Sequence, residues 1–514
     1  MPTTTTTTPS AALPEAYAAL LAHGREAFLL SSTAALLSWD QETGMPRGGG
    51  ALRSQQLALL AGLCHERATD PRIADWLAAC EADPAVQQDP LAAANVRGMR
   101  RDHARATRLP AALVRALAEL ESTAQQEWAE ARAASDFARF RPLLQRMLEL
   151  QRQKADCLRR GEQPRWDALA DLYEPGMNAA DLRRLFQPLR ERLVALRQQL
   201  DRGTRPDDSF ARCEIRPQRQ EAFVREVLAA MGFDFARGRL DRSAHPFCTG
   251  AFGDVRLTTR FHKDNLLDAL GSTMHEGGHG LYEQGLDPAH AGSPLGEAVS
   301  LGIHESQSRM WENHVGRSRA FWQWAAPVLH RHVVADVEDV ARHDAEALWR
   351  GANVVTPSLI RVEADEATYD LHVMVRFELE TALLSGDLEV ADLPAAWNAR
   401  YADYLGVAVP DDRRGCLQDV HWSCGLFGYF PTYTLGNLYA AQFAAAARRA
   451  LPDLDAQMAR GEFQPLREWL RANVHCHGRR YEPAALCERA TGAPLSSAPF
   501  LAYLEDKLRA AYGL

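Results

Sequence analysis

Two histidines four residues apart, with a glutamate directly after the first, lie in the stretch "STMHEGGHGLYEQG" (Ser272–Gly285). An α-helix turns by about 100° per residue, so His275 and His279 share one face and can offer two imidazole nitrogens to one metal ion. Glu276 lies beside that face, where its carboxylate can take a proton from a water activated by the metal. The spacing predicts a hydrolytic metal site; the alternative is two surface histidines on an amphipathic helix.

A downstream carboxylate can complete the ligand set. Glu305 lies in "GEAVSLGIHESQSRMWENHVGRS", a segment of helical period that follows a loop containing Pro288 and Pro294. A second helix returning beside the first would bring Glu305 to the two histidines and leave one position of the metal open. His304 competes for this role, but its side chain points about 100° away, so only one of the two can face the metal. The other alternative for Glu305 is an ordinary ion-paired glutamate.

Two consecutive glycines separate the histidines, although each costs roughly 1 kcal/mol relative to alanine inside a helix. Gly277 points away from the metal face, and we expect another element to pack closely against it. Gly278 flanks the metal face, and we expect it to leave room for substrate or for the backbone of a strand.

Most of the chain has the three- and four-residue apolar spacing of amphipathic helices. Asp181 and Pro217 are examples of helix-starting residues. Helices are predicted at residues 14–38, 111–135, 139–160, 180–200 and 218–231.

One segment upstream of the histidine pair differs. In "DVRLTTRF" the residues Val255, Leu257 and Thr259 alternate with polar ones, which predicts a short strand in a small sheet. Such a strand could offer its edge to an extended peptide; the alternative is a hairpin that only packs. The sequence therefore predicts a mainly α fold with a small β-sheet near the metal site.

Composition limits the class of protein. The chain has 514 residues, 46% of them hydrophobic, and a formal net charge of -9 from 58 basic and 67 acidic residues. No basic block stands out, so we expect no nucleic-acid partner. The longest apolar runs are shorter than a membrane span, so we expect a soluble protein with no membrane partner.

The N-terminus and the cysteines indicate where the protein works. "MPTTTTTTPSAALPEAY" lacks the basic start and apolar segment of a signal peptide, and residues 1–12 are predicted to form a disordered threonine-rich tail. The nine cysteines are scattered and odd in number, which indicates reduced thiols and a cytoplasmic location.

Several further motifs occur in a fixed order along the chain. They are "LLSWDQETGMP" (Leu36–Pro46), "HPF" (His245–Phe247), "DVRLT" (Asp254–Thr258), "HEGGH", "HESQSR" (His304–Arg309), "IRVEAD" (Ile360–Asp365), "GCLQDVHW" (Gly415–Trp422) and "GYFPTYTLGN" (Gly428–Asn437). Through these motifs the sequence resembles the carboxypeptidase Taq family of metallocarboxypeptidases over nearly the entire chain after the threonine tail.

The resemblance implies His275, His279 and Glu305 as metal ligands and Glu276 as general base. It implies a large helical two-lobed fold with a deep central groove and the metal at its floor, in one catalytic domain over residues 13–514. It also implies a homodimer that removes single residues from peptide C-termini with broad specificity and poor tolerance of proline. The expected cofactor is zinc, one divalent ion per chain, with cobalt as the alternative.

A carboxypeptidase must hold the terminal carboxylate of its substrate, and the planar fork of arginine matches that group. Arg361 in "IRVEAD" is the first candidate, followed by Arg256. The alternative for Arg361 is an internal ion pair with Glu363 or Asp365.

Two adjacent arginines, Arg413 and Arg414 in "PDDRRG", are further candidates for this carboxylate. Their alternative is surface pairing with the neighbouring aspartates.

The oxyanion of a tetrahedral intermediate needs a hydrogen-bond donor. Tyr433, His245 and His421 are the candidates, each with ordinary packing as its alternative. Asp419 and Gln418 could orient such groups.

His475 and His477 in "HCHGRRY" lack a cysteine pair at zinc-finger spacing, so we expect a structural or supporting role for them.

Two other functions compete with a carboxypeptidase. A thimet-type oligoendopeptidase shares the two-histidine helix and a later glutamate ligand, but "HESQSR" and "GCLQDVHW" favour the carboxypeptidase family. A helical interaction protein with a structural metal is the other alternative. A structural site normally has a fourth protein ligand, and only three are predicted here, so we favour the enzyme.

Overall fold

The computed structural model describes residues 12–333, 340 and 342–514. In this part the chain is mainly α-helical with one three-stranded sheet, as the sequence predicts. Residues 1–11 of the predicted tail lie outside the described residues. Among the helices that are described, none has the length and apolar character needed to cross a membrane. None of the nine cysteines, all of which lie within the described residues, takes part in a disulfide.

The helices that precede the sheet include the five segments predicted from periodicity, which are now α1, α6, α7, α9 and α10. Their observed ends agree with the predicted ones to within a few residues, because strong apolar periodicity identifies a helix better than it identifies its ends. In chain order these helices are α1 Glu15–Thr43, α2 Gly50–Ala68, α3 Arg72–Ala82, α4 Pro84–Gln88, α5 Pro90–Arg108, α6 Ala111–Ala134, α7 Phe137–Leu158, α8 Arg165–Ala170, α9 Ala179–Leu200 and α10 Pro217–Met231.

The sheet and the helices after it contain the remaining motifs. A π-helical turn, Met310–Val315, continues α12 directly. In chain order the elements are β1 Gly238–Arg242, β2 Cys248–Ala251, β3 Asp254–Thr259, α11 Leu266–Gly285, α12 Leu301–Arg309, α13 Arg319–Val333, α14 Ala345–Gly351, α15 Tyr369–Ser385, α16 Leu393–Leu405, α17 Pro431–Ala450, α18 Leu454–Ala459, α19 Gln464–Asn473, α20 Pro483–Thr491 and α21 Ala498–Tyr512.

The predicted strand is β3, and it lies in the middle of the sheet. It pairs in parallel with β1 and antiparallel with β2, so the strand order is β1-β3-β2. The expectation that this strand has a free edge is therefore wrong, since Val255 and Leu257 are fully buried and both edges of β3 are paired. The free edges of the described sheet belong to β1 and β2.

The glycines of α11 allow three different neighbours to approach this helix. A Cβ atom at Gly277 would overlap Leu228 of α10 and lie 3.2 Å from the Met231 methyl, which confirms the close packing predicted there. At Gly280 a Cβ atom would lie 2.8 Å from Leu257 of the sheet. Each added methyl group would force its neighbour to move.

Gly278 faces a different neighbour from the one expected. A Cβ atom there would overlap the carbonyl of Gln307 and lie 2.7 Å from the Cα of Ser308. The close neighbour is thus the backbone of α12, which carries Glu305, and not substrate or a strand. Gly436 of α17 approaches α12 from another side, since its Cβ atom would lie 2.7 Å from the Cβ of Glu305.

We predict that Gly278→Ala lowers the free energy of unfolding by about 1–3 kcal/mol, because backbone atoms of α12 cannot rotate away from the new methyl group. The control is Gly271→Ala in the same helix, where the nearest atom to the new Cβ is Glu312 Oε1 at 3.9 Å. That variant should be neutral or more stable by up to about 1 kcal/mol, since alanine is the better helix former. Thermal melting of both variants measures the difference, and equal midpoints would contradict the prediction.

Candidate metal centre

The three predicted ligands meet at the junction of α11 and α12. The Nε2 atoms of His275 and His279 each lie 3.5 Å from Oε2 of Glu305, and the three ligand atoms fall within 4.8 Å of one another. Donor atoms about 2.0–2.1 Å from a tetrahedral ion are separated by roughly 3.3 Å, so the observed spacing fits one metal ion. A tetrahedral ion held by these three donors would have one further coordination position, and all three residues line the adjoining cavity.

Glu305 is held in one orientation by its own helix. Arg309, one turn later, donates from Nε to Oε1 at 2.7 Å, and Ser308 Oγ donates to Oε2 at 3.0 Å. Oε2 remains directed at the histidines. Burial alone would raise the pKa of Glu305, but Arg309 and His275 outweigh it and hold this pKa well below its usual value. The carboxylate is therefore charged, as a metal ligand must be.

The ring of His275 is oriented by a residue that the sequence analysis missed. Its Nδ1 lies 2.9 Å from Oε2 of Glu312 in the π-helical turn. Glu312 also accepts from Arg309 Nη1 at 3.1 Å. Since Nδ1–H donates to this carboxylate, the lone pair of Nε2 faces Glu305 and the metal position. The signal was present in the sequence: Arg309 and Glu312 follow Glu305 by four and seven residues, so they share its helix face.

His279 is oriented by His304, the residue that competed with Glu305 in the sequence. The Nδ1 atoms of the two rings lie 2.6 Å apart, and His304 Nε2 lies 2.9 Å from Oε1 of Glu283. Protons placed on His279 Nδ1 and on His304 Nε2 satisfy both contacts and leave His279 Nε2 free to bind metal. Glu305 thus faces the Nε2 atoms of both histidines, whereas His304 contacts His279 at Nδ1.

Aromatic contacts link His304 to the C-terminal part of the chain. The ring of Tyr282 lies 5.1 Å from that of His304 and 5.0 Å from that of His475. The buried His475 donates from Nε2 to Oε1 of Gln307 at 2.9 Å. A structural role for His475 agrees with the sequence prediction, and His477 contacts only the ring of Tyr481 among the described aromatic rings.

Glu276 lies on the wall of a cavity of about 630 Å³, together with the two histidines and Glu305. The cavity is bounded by α1, β2, α11, α12 and the start of α17. Burial raises the pKa of Glu276 to about 7, and the nearby His275 opposes this shift. Its carboxyl group can therefore exchange a proton near neutral pH.

Two tyrosines close the cavity on the side of α17. Tyr433 and Tyr429 both line it, with ring centres 5.5 Å apart. The Tyr433 hydroxyl lies 3.2 Å from Nε2 of His421. Burial lowers the pKa of His421 to about 3, so its imidazole is neutral and supports the Tyr433 hydroxyl from behind. Tyr429 was not singled out in the sequence, and it lies just before the start of α17, outside the helix.

Arg361 lies behind Tyr433 and not on the cavity wall. It is 4% exposed, and its guanidinium carbon lies 4.9 Å from the centre of the Tyr433 ring. Nε and Nη2 donate to Oδ1 of Asp419 at 3.0 and 2.8 Å, and Nη1 donates to the Tyr369 hydroxyl at 2.9 Å. The alternative ion pair with Glu363 or Asp365 is therefore wrong, because the fork of Arg361 is occupied by other partners.

Asp419 and Gln418 hold two arginines together. Asp419 accepts from Arg376 at 2.6 Å as well as from Arg361, and Gln418 Oε1 accepts from Arg376 Nη2 at 2.7 Å. Arg376 is fully buried and was not considered in the sequence analysis. One aspartate between two guanidinium groups leaves a net positive charge behind Tyr433.

The remaining candidates do not line the cavity that contains the metal ligands. Arg256 pairs with Asp254 at 2.8 and 3.0 Å and lies 4.2 Å from the ring centre of Trp39.

The predicted surface pairing of the adjacent arginines is observed at Arg414, which pairs with Asp411 and is exposed. Arg413 is exposed as well. His245 is exposed and does not line the cavity, whereas the next two residues of its motif, Pro246 and Phe247, do.

Comparison with known proteins extends the similarity beyond the site. A model of the Carboxypeptidase Taq (M32) metallopeptidase family matches residues 19–508. Thermostable carboxypeptidase 1 of Thermus thermophilus is 50% identical over 97% of this chain and 99% of its own. Carboxypeptidase 1 of Bacillus subtilis is 37% identical over 93% of this chain and 95% of its own.

Solved structures agree with this chain at the level of the whole fold. An M32 carboxypeptidase from Deinococcus radiodurans R1 is 43% identical, with a TM-score of 0.94 over 98% of this chain and 100% of that chain. Metallocarboxypeptidase 1 of Trypanosoma cruzi is 34% identical, with a TM-score of 0.91 over 96% of this chain and 99% of that chain. The mainly helical fold around the metal centre is thus shared with these proteins.

We predict that Glu312→Gln weakens the affinity for Zn²⁺ by about 10–100-fold, because His275 loses the charged acceptor that fixes its ring. Competition titration against a chromophoric chelator measures this affinity directly. The control is Glu346→Gln, which removes a half-exposed glutamate paired with Arg319 away from the site. An unchanged affinity in Glu312→Gln would show that the ring is held by other contacts.

Proposed function

The chain belongs to the carboxypeptidase Taq (M32) family of metallopeptidases, and on that basis we propose that it removes single residues from peptide C-termini with broad specificity. As a member of this family, the protein is a metal-dependent carboxypeptidase that acts on peptides. The observation that supports metal-dependent hydrolysis at this site is the convergence of His275, His279 and Glu305 beside Glu276 on one cavity wall. Poor tolerance of proline is part of the same proposal.

We infer that the metal is zinc, with one ion per chain. Two imidazoles and one carboxylate with an open position are a typical donor set of catalytic zinc sites, and cobalt accepts the same donors. When bound, such an ion lowers the pKa of a coordinated water and polarises the carbonyl of the scissile peptide bond.

Glu276 is the proposed general base. Its carboxylate takes a proton from the attacking water and can pass it to the leaving amine. Burial raises its pKa to about 7, and only the deprotonated form can accept, so its contribution as a base increases as the pH rises through this value. The charge of a bound cation works in the opposite direction and extends the active form to lower pH.

We predict that Glu276→Gln lowers kcat by about 10²–10⁴-fold while the variant retains its metal, since the amide keeps the shape but cannot accept the proton. Mass spectrometry of an N-terminally blocked peptide of about ten residues should show a ladder of C-terminal losses with the unchanged protein. A chelator should abolish the ladder, and Glu346→Gln should leave it intact.

Other results of the same experiment would favour the alternatives. Cuts inside the blocked peptide would indicate an oligoendopeptidase. A full ladder with Glu276→Gln would mean that another group acts as the base, and no cuts by the metal-loaded protein would favour a structural metal site.

Tyr433 is the proposed donor to the oxyanion of the tetrahedral intermediate. Its hydroxyl borders the cavity, and the neutral His421 supports that hydroxyl at 3.2 Å. Donors that are already oriented in a buried site stabilise developing negative charge without reorganisation. His245, a further candidate, is exposed outside the cavity, so the geometry supports Tyr433 and His421 more strongly.

We predict that Tyr433→Phe lowers kcat by about 10²–10³-fold with a small change in KM, because the lost hydrogen bond forms mainly in the transition state. Tyr481→Phe is the control, since the ring of Tyr481 packs against His477 and this residue does not line the cavity. Steady-state kinetics on one blocked dipeptide gives both constants. A rise in KM with unchanged kcat would assign Tyr433 to substrate binding instead.

The terminal carboxylate of the substrate is proposed to bind near Tyr433. Arg361 and Arg376 share the single charge of Asp419, so a net positive charge lies behind the tyrosine and attracts an anion. Among the four candidate arginines, Arg361 is favoured by this position. Arg256 borders a neighbouring cavity, and Arg414 lies at the surface with Asp411.

We further propose one catalytic domain over residues 13–514 that works in the cytoplasm as a homodimer. Nine free cysteines suit a reducing compartment. Helices α1 and α2 expose large apolar side chains, among them Leu29 at 54%, Leu52 at 61% and Leu59 at 66%. A second copy of the chain could cover such a surface.

A further inference from the structure

A second cavity, of about 400 Å³, adjoins the metal cavity. Phe28 and Ser32 of α1 line both cavities, and so do Thr249, Gly250 and Ala251 of β2. The shared residues place the two cavities side by side as one cleft between α1 and the sheet. The second cavity continues past the turn between β2 and β3.

The proposed reaction determines which part of a peptide lies in each cavity. Removal of a single residue requires room for only one residue and its carboxylate beyond the scissile bond. The end of the cleft near Tyr433 is backed by the buried pair of Arg361 and Asp419. The rest of the peptide must therefore leave in the opposite direction, past the free edge of β2. An extended chain can form backbone hydrogen bonds with such an edge.

The tip of the β2–β3 turn holds an aromatic ring in this path. Phe252 has φ +47°, a left-handed conformation in which a bulky side chain is an outlier. Glycine, asparagine or aspartate is the usual residue at such a position of a two-residue hairpin turn. The ring of Phe252 lies 5.7 Å from the ring of Phe28 across the cleft, and Phe252 is partly exposed. A strained position occupied by phenylalanine indicates that the ring itself is used.

We propose that the second cavity, bounded by Phe28 and Phe252, binds the part of a peptide substrate that precedes the scissile bond and favours apolar side chains there. This subsite rests on the proposed carboxypeptidase activity. The two rings present an apolar surface to the substrate, and the edge of β2 aligns its backbone. Affinity for upstream residues then adds to the contacts made at the metal.

The simpler explanation is that the two rings only fasten α1 to the sheet. The two explanations predict different effects when either ring is removed by mutation. A fastening contact affects stability and all substrates alike, whereas a subsite affects only substrates long enough to reach it.

The test uses three N-acetylated substrates that end in the same dipeptide: the dipeptide itself, a hexapeptide with glycines upstream, and a hexapeptide with leucines upstream. Release of the C-terminal residue is measured by chromatography at initial rates with the metal-loaded enzyme. We expect kcat/KM for the leucine hexapeptide to exceed that for the glycine hexapeptide by about tenfold, as burial of one or two apolar side chains would give.

The preference should fall to about twofold or less in Phe252→Gly and in Phe28→Ala. Phe252→Gly is suited to the test because glycine adopts the positive φ without strain, so the turn is kept. The control is Phe235→Ala, which removes a phenylalanine that lines neither cavity and should retain the full preference. Melting temperatures report any loss of fold.

The outcomes separate the two proposals. Retention of the leucine preference in both Phe252→Gly and Phe28→Ala would overturn the subsite, as would equal rates on the two hexapeptides by the unchanged enzyme. If the unchanged enzyme cleaves no substrate, including the dipeptide, the proposed carboxypeptidase activity fails and the subsite fails with it.

Discussion

The backbone contact between α11 and α12 at Gly278 is the constraint on which the metal centre depends. Any side chain at this position would overlap the backbone of Gln307 and Ser308, and the two helices would separate. Glu305 reaches both histidines only because the helices lie this close, and Gly436 makes matching room on the side of α17. The cost of glycine in a helix, roughly 1 kcal/mol per residue, is offset by the packing that it allows.

Charge is distributed unevenly along the cleft, and the distribution matches the proposed substrate. At the metal position, Arg309 neutralises only part of the charge of Glu305 and Glu312, which leaves a negative site for a divalent cation. Behind Tyr433, Asp419 neutralises only part of the charge of the two arginines that it joins. A peptide C-terminus needs both: a cation to activate the scissile bond and a positive region to attract its carboxylate.

The resemblance to the carboxypeptidase Taq family selected Glu305 as a candidate ligand where helical spacing had left Glu305 and His304 open, whereas spacing alone placed His275 and His279 on one face. Ion pairs between distant segments could not be predicted in this way. Arg361 has two carboxylates within four residues, yet Asp365 accepts hydrogen bonds from Thr356 and Thr368, and Asp419 takes the arginine. Periodicity likewise identified β3 as a strand but not its neighbours, since strand order depends on how the chain folds back.

The motif around Trp39 lies far from the metal ligands in sequence, and the structure gives it a mechanical role. The ring of Trp39 contacts both Arg239 and Arg256, whose guanidinium carbons lie 4.9 and 4.2 Å from its centre. These contacts tie the end of α1 to two strands of the sheet. The buried residues of α1 are Tyr17, Leu20, His23 and Trp39, so the helix is buried near both ends. Between these anchors the ring of Phe28 contacts that of Phe252, and Phe28 and Ser32 line the cleft. Arg256, considered in the sequence as a ligand for substrate, serves one of these anchors, which explains why a motif without metal ligands accompanies the catalytic ones.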